Sequence, residues 1–281
     1  MNPADILLTV DFDHTLTDRQ GRIPPENLAA IARFIARGGA FTVNTGRSLP
    51  MLLPQLRRWG IPVTAPLLLY NGAVAYDLPR GEILFATPLE QSPLELLPAL
   101  QAAFPALLVE VQGLEAHYIF RDEPLWFRFE EENQVPGRRI SYDQVPRPFL
   151  KAAVYGAFAD GTVGQFYRMT PQEDGEIRAV EEYLARAYGA RMSVVRGCPR
   201  ILDIQAPGVN KGAAARRLAE GLGRRVLACV GDGTNDEAML RAADLAYVPA
   251  DAHESLLPRY ETLCPCGEGA VAAAIARLME A

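Results

Sequence analysis

Five short apolar runs recur along this chain, and each is cut off by a polar or glycine-rich step. They are ILLTV (6–10), AFTVNT (40–45), PLLLYN (66–71), RVLACV (225–230) and LAYV (245–248). ILLTV is a short, continuously apolar run and RVLACV reads as a buried strand, which suits strands covered on both faces, as in a parallel sheet. Between the runs the spacing turns helical. IPPENLAAIARFIARGG places Leu28, Ile31, Phe34 and Ile35 three and four residues apart, with prolines at its front and glycines behind. Ser48 to Trp59 reads as a second helix, disturbed by Pro54 and ended by Gly60. Lys211 to Leu222, Asn235 to Ala243 and GAVAAAIARLME supply the later ones. Such alternation predicts an α/β fold, a doubly wound Rossmann-like parallel sheet with helices on both faces. Ligands then bind at the carboxyl ends of the strands.

From Glu82 to Gln205 the texture changes. Aromatics, prolines and acids interleave in HYIFRDEPLWFRFEEENQVPGRR, with strand-like pieces KAAVYGAF and RILDIQ and one helical pattern, EIRAVEEYLARAYG. The expected organisation is a core of 1–81 and 206–281, carrying an α+β module, 82–205, inserted into it. A chain of 281 residues is long enough for both.

Charge and segment patterns exclude several functions. A net charge of −6, with basic pairs scattered at Arg57-Arg58, Arg138-Arg139, Arg216-Arg217 and Arg224-Arg225, is wrong for a general nucleic-acid binder. No apolar run approaches the roughly 20 residues that span a bilayer, and no secretion signal opens the chain. Cys198, Cys229, Cys264 and Cys266 lack the partners of a zinc site and read as reduced thiols. A cytoplasmic enzyme acting on a small molecule is the expectation.

The chemistry-bearing residues sit where strands end. DFDHTLTD follows ILLTV and brings Asp11, Asp13 and Thr15; Thr45 closes the second strand within NTGR; Lys211 opens a helix in GVNKG; GDGTND follows RVLACV with Asp232 and Asp236. Each alone has a plain alternative: D-x-D-x-T can be an aspartate-rich turn, Lys211 a surface lysine, Thr45 a strand-end hydroxyl. GDGTND lacks the last glycine of a dinucleotide loop, and GVNKG lacks phosphate-loop spacing. Meeting at one sheet edge, the four segments suit phosphoryl transfer assisted by a hard cation, Mg²⁺, which takes oxygen ligands. His14, His117 and His253 form no nucleophile–base pattern. Only two of the 28 basic side chains are lysine, Lys151 and Lys211, so a position that keeps lysine is one that asks for a compact ammonium.

The order DFDHTLTD, VNTGRS, LLLYNGA, LDIQAPGVNKGAA, GDGTNDEAML resembles the haloacid dehalogenase superfamily of aspartate-nucleophile phosphatases, and nearly the whole chain is similar to its Cof-type branch, which carries a large inserted cap. The resemblance implies roles. Asp11 is the nucleophile and Asp13 the acid–base, which must be protonated at the first step and so calls for a raised pKa. Thr45 and the Gly46 amide hold phosphate oxygens, Lys211 stabilises charge, and Asn235 contacts phosphate, with Arg47 and Asn71 lining the site. Mg²⁺ is held by Asp11, the Asp13 carbonyl and Asp232, with Asp236 as ligand or support. Substrates are small phosphorylated metabolites, sugar phosphates foremost. A sugar phosphomutase and a non-catalytic phosphometabolite-binding regulator stand as alternatives. In the branch the position of His14 is usually small, often glycine; its ring either turns aside or tunes substrate choice.

Overall fold

The computed structural model describes residues 1–156 and 170–280. They fall into two compact units: Met1–Arg47, Leu56–Ala86 and Asn210–Ala281 make the first, Ser48–Gln55 and Thr87–Val209 the second.

The first unit is built on a five-stranded, all-parallel sheet. Its strands lie in the order Glu261–Thr262, Leu245–Val248, Val226–Val230, Ile6–Val10, Ala40–Val43. The apolar runs form these strands because both faces are covered: every residue of Ile6–Val10 and Ala40–Val43 is buried. Register fixes the functional edge. Val10 pairs with Val230 on one side and Val43 on the other, so the chain leaves three adjacent strands side by side at Asp11, Gly231 and Asn44. Backbone bonds continue past the strand ends, from Asp11 N to Val230 O (3.0 Å) and from Asn44 N to Val10 O (2.9 Å). A smaller antiparallel sheet, Leu67–Leu69, Val74–Asp77 and Glu82–Ala86, completes the unit's β-structure.

Some elements differ from their expected bounds. Pro54 lies inside an unbroken helix, Leu49–Trp59. PLLLYN is strand only over Leu67–Leu69, because Tyr70, Asn71 and Gly72 all take positive φ in the turn that follows. The helix expected from Asn235 begins at Glu237 and ends at Ala242, after a single tight turn, Thr234–Asp236.

The second unit is α+β. Its six-stranded sheet runs Ser193–Cys198, Ile201–Gln205, Lys151–Tyr155, Leu108–Gln112, His117–Ile119, Gly137–Arg139, antiparallel except for the last pair. KAAVYGAF is strand over Lys151–Tyr155; its last two residues lie outside the described ones. Helices Pro93–Ala103, Pro124–Glu132 and Pro171–Tyr188 complete it, each opened by proline, whose missing N–H costs nothing in a first turn. Its core holds an ionisable cluster. Burial pushes the Glu130 carboxyl up to about 8 and the His117 imidazole down to about 4. Lys151 is also buried here, paired with Asp203 at 3.0 Å.

Candidate active site

Asp11 directly follows the strand Ile6–Val10 and is 6% exposed. The next five residues, Phe12–Leu16, wind into one tight turn that throws Asp13 and Thr15 back over the sheet edge. His14 holds φ 59° and ψ 13°, the left-handed conformation that favours glycine. That is the physical reason a small residue suits this position. The ring is turned to Arg19, whose Nη1 lies 3.0 Å from Nδ1, and Arg19 is itself paired with Asp251. Burial, then the charge of Arg19, hold the imidazole below its ordinary pKa despite Asp13 and Asp251 nearby.

Lys211 is the first residue of the helix Lys211–Gly221, capped by the Asn210 side chain, which accepts from Ala213 N at 2.8 Å. Gly212 lets this helix press on the next, since a Cβ there would stand 2.1 Å from Ala238 O. The close approach sinks Lys211 until it is 1% exposed, with Nζ donating to Asp11 Oδ1 (2.5 Å) and Asp236 Oδ1 (2.6 Å). Burial opposes the ammonium's charge, but Asp11 and Asp236 more than offset it and hold its pKa above the ordinary range. Asp236 Oδ2 in turn accepts from the backbone of Asp232 (3.0 Å) and Gly233 (2.9 Å), pinning the acidic loop. Asp232 accepts from Thr15 Oγ1 at 2.8 Å.

Three carboxylates thus face one ammonium. Burial pushes Asp232 up to about 7, with Asp236 adding to it. Burial also lifts Asp11 well above the usual carboxylate range; Lys211 pulls the other way, and Asp236, Asp232 and Asp13 push further up. One ligand oxygen from each of Asp11, Asp232 and Asp236 lies within 4.8 Å of the others. A buried, hard-oxygen set with surplus negative charge is what a divalent cation such as Mg²⁺ requires, so these residues fit one.

Asp13 departs from expectation. Its raised pKa was predicted from neighbouring carboxylates, but the structure gives the opposite direction. Burial pulls the carboxyl upward, yet Arg47 outweighs it, donating from Nε (2.8 Å) and Nη2 (2.7 Å) to the two oxygens, with His14 and Lys211 adding to the effect. Asp13 is therefore held below the usual range. The guanidinium also sits 4.9 Å from the Phe12 ring centre. Nothing in the spacing of residues 13 and 47 announces this fork.

The remaining predicted residues flank this edge. Thr45 is buried; its backbone N–H donates to Leu68 O and its carbonyl accepts from Asn71 N, both at 2.9 Å, so the two strand ends are laced together. Asn71 packs so tightly on Gly46 that a Cβ there would meet its Oδ1 at 2.7 Å. Thr45 Oγ1 accepts from Arg47 N. Asn235 lies in the tight turn Thr234–Asp236 and is partly exposed. Two positioning residues escaped the sequence reading as such: Thr15, through Asp232, and Asn44, whose Nδ2 donates to the Lys211 carbonyl (3.0 Å). Their signal was only their place at strand ends.

Comparison with known proteins follows the same lines. The haloacid dehalogenase-like hydrolase family matches residues 8–275. An HMP-PP phosphatase of Serratia proteamaculans is 28% identical over 279 residues, covering 95% of this chain and 92% of that protein. One of Escherichia fergusonii is 25% identical over 278 residues, covering 94% and 92%. Among solved structures, a haloacid dehalogenase-like hydrolase from Bacteroides thetaiotaomicron aligns with TM-score 0.81 at 20% identity, covering 97% of this chain and 98% of the other. A subclass IIB sugar phosphatase of the same superfamily aligns at 0.76 and 17%, with coverage of 97% and 98%; at these identities the likeness is one of fold. With a family match over nearly its full length and the fold to go with it, the chain belongs to the haloacid dehalogenase-like hydrolases, as an enzyme of their Cof-type branch.

Proposed function

We propose that this enzyme is a Mg²⁺-dependent phosphatase that releases inorganic phosphate from small organic phosphate esters, sugar phosphates foremost, through an aspartyl-phosphate. The observation that carries the reading is the buried contact of Lys211 with Asp11 and Asp236 beside Asp232, at the edge where three strands end. Binding of a metabolite would not need a nucleophile with a lysine locked onto it.

In this reading Asp11 attacks phosphorus as the bond to the leaving alcohol breaks, and Asp13 delivers the proton that alcohol takes up. Asp13 then removes a proton from the water that attacks the phosphoryl-aspartate, freeing phosphate and restoring Asp11. Thr45 Oγ1 and the Gly46 amide hold phosphate oxygens, joined by Asn235, with Asn71 shaping the wall. Lys211 keeps Asp11 oriented and offsets the charge that gathers there. Asp11, the Asp13 carbonyl and Asp232 would hold Mg²⁺, with Asp236 as a further ligand or as the support that steadies Lys211 and the loop. Bound there, Mg²⁺ would neutralise the charge between a carboxylate nucleophile and a phosphate dianion.

Arg47 adds a step of preparation. A phosphate ester offers its fork the same pair of oxygens that Asp13 now offers. Substrate binding exchanges the partner, takes from Asp13 the cation that holds its pKa down, and so lifts it toward the protonated form the first step needs. The inserted module selects the leaving group, and the enzyme works in the cytoplasm.

The test is phosphate release from a panel of sugar phosphates, nucleotides and HMP-PP, with and without Mg²⁺, in wild type and Asp11→Asn. Turnover is expected only with Mg²⁺ and only in wild type. Turnover retained by Asp11→Asn overturns the covalent route. Isomerised product without free phosphate assigns a mutase, and binding without turnover across the panel assigns a regulator.

A further inference from the structure

The second unit carries a buried cluster that phosphoryl transfer does not use. Glu110 lies in the strand Leu108–Gln112, His117 in its antiparallel neighbour His117–Ile119, and Glu130 in the helix Pro124–Glu132. Gln112 pairs with His117 across the ladder, which sets Glu110 diagonally across from His117 on one face of the sheet. Trp126 and Glu130, four residues apart, share a helix face and reach that sheet face. His117 and Glu110 are fully buried and Glu130 is 1% exposed.

The polar contacts are unevenly shared. Glu110 Oε1 accepts from Gln112 Nε2 (2.8 Å) and Tyr155 Oη (3.1 Å), and Oε2 accepts from Trp126 Nε1 (2.5 Å), which leaves about one lone-pair position, on Oε2. His117 Nε2 is 2.7 Å from Ser48 Oγ, which anchors the ring by that nitrogen. By contrast Nδ1 of His117 and both oxygens of Glu130 have no hydrogen-bond partner. Nδ1 is 3.0 Å from Glu130 Oε2 and 3.5 Å from Glu110 Oε1, yet neither contact is aligned as a hydrogen bond. An orphaned histidine nitrogen and an orphaned carboxylate at such depth are costly unless something between them is bound.

We infer that Glu110, His117 Nδ1 and Glu130 form a binding site for one zinc-class divalent cation, separate from the Asp11/Asp232/Asp236 set. The geometry is that of a ligand shell. In a tetrahedron with metal–ligand bonds of about 2.0–2.2 Å, neighbouring ligand atoms stand about 3.3–3.5 Å apart. The 3.0 Å from Nδ1 to Glu130 Oε2 is close to that spacing, and one ligand atom from each of the three residues lies within 4.8 Å of the others. Off-axis neighbours are also expected there, because each lone pair points at the ion and not at the next ligand. One imidazole with two carboxylates is a borderline-soft set, suited to Zn²⁺ more than to Mg²⁺. Two carboxylates balance the ion's charge, and Ser48, Gln112, Tyr155 and Trp126 supply the outer hydrogen bonds that metal sites use to aim their ligands. The ion would clamp the helix Pro124–Glu132 onto the sheet.

The chain's three histidines make the test direct. Imidazole ¹⁵N spectra of the chelator-stripped full chain are followed while Zn²⁺ is added, in wild type and in Asp232→Asn, which impairs the other acidic set. One equivalent is expected to move His117 Nδ1 to a metal-bound position in both proteins, and excess Mg²⁺ to leave it unmoved. Glu130→Gln is expected to weaken Zn²⁺ binding by more than the roughly 10–100-fold that loss of an outer partner causes, and Ser48→Ala to fall within that range. An unmoved Nδ1 at stoichiometric Zn²⁺ overturns the site, as does unchanged affinity in a folded Glu130→Gln protein. If Glu130→Gln does not fold, the Asp232→Asn titration and Ser48→Ala still decide.

Discussion

Replacing Lys211 by methionine keeps most of the side chain's length and removes only its charge, and the resulting loss of stability is expected to depend on pH. In the native site Nζ lies 2.5 Å from Asp11 and 2.6 Å from Asp236, with Asp232 close by, so the substitution strips three buried carboxylates of their one ammonium. Breaking a buried pair by removing one partner costs about 3–5 kcal/mol. A near-isosteric packing change costs less than about 1.5 kcal/mol. Charge is therefore the larger part, and protonation can relieve it.

The sign follows from proton counts. An unfolded aspartate titrates near 3.9, roughly, while burial has already raised Asp232 to about 7 in the wild type. Between those values the folded state binds more protons than the unfolded one, so stability falls as pH rises. For Asp232 alone that interval is worth roughly 4 kcal/mol, at about 1.36 kcal/mol per pKa unit. Lys211 is what pulls Asp11 back down, so without it Asp11 is lifted further. The gap between wild type and Lys211→Met should then be small at pH 5 and open to about 3–5 kcal/mol at pH 8. Urea unfolding in chelator at pH 5, 6.5 and 8 measures it, and millimolar Mg²⁺ should restore part of the loss at pH 8. A penalty of the same size at pH 5 and pH 8 would refute the reasoning, because it would make Lys211 a packing residue.

Three further outcomes are expected. Arg47→Ala removes the cation that holds Asp13 down, so burial should raise its pKa and carry the alkaline limb of kcat/KM upward in pH, with a higher KM. The ratio of mutant to wild-type profiles on one substrate cancels the substrate's own ionisation; a flat ratio would remove Arg47 from control of Asp13. His14→Gly should match or exceed wild type in Tm, because relief of a left-handed backbone worth about 1–2 kcal/mol offsets the added freedom of the unfolded chain. His14→Val should lower Tm, and equal Tm for the glycine and valine variants would show the backbone is not under strain; an unchanged ranking of substrates in His14→Gly would show that the ring does not choose among them. Asp11→Asn in chelator should be at least as stable as wild type at pH 8, since it deletes one of the surplus buried charges; marked destabilisation would mean that the Lys211 contact outweighs the crowding.

The sheet edge was legible because its signals are local. An apolar run cut off by an acid or a hydroxyl marks a strand end whatever the rest of the chain does, and three such ends in a doubly wound sheet, with a lysine opening a helix, leave few places to go. What stayed hidden depends on partners distant in sequence. Asp13's lowered pKa comes from Arg47, 34 residues away, and sequence shows only the neighbouring carboxylates that would have raised it. His14 was visible as an odd residue, but its cause is a positive φ set by the fold of the turn. Glu110, His117 and Glu130 were invisible as a group, because a stretch dense in acids and aromatics reads as texture until strand register and helix phase bring three of its members together.

The scarcity of lysine takes on a structural meaning once both lysines are placed. Lys151 is 3% exposed and paired with Asp203; Lys211 is 1% exposed and held by two aspartates. Arginine serves at exposed pairs such as Arg225–Asp5, and it also serves Asp13, where a fork can meet two oxygens of one carboxylate. Between Asp11 and Asp236 the demand differs: two oxygens of separate carboxylates converge on a single point in a fully packed space. A guanidinium is planar and broader, and its donors diverge where these acceptors converge. Lys211→Arg should therefore behave as a loss of function despite keeping the charge. Phosphate release is expected to fall toward the level of Lys211→Met, while the pH dependence of stability stays close to wild type because the charge remains. Activity of Lys211→Arg near wild type would show that Lys211 acts through its charge alone, and the compact shape inferred from the rest of the chain would carry no weight at this site.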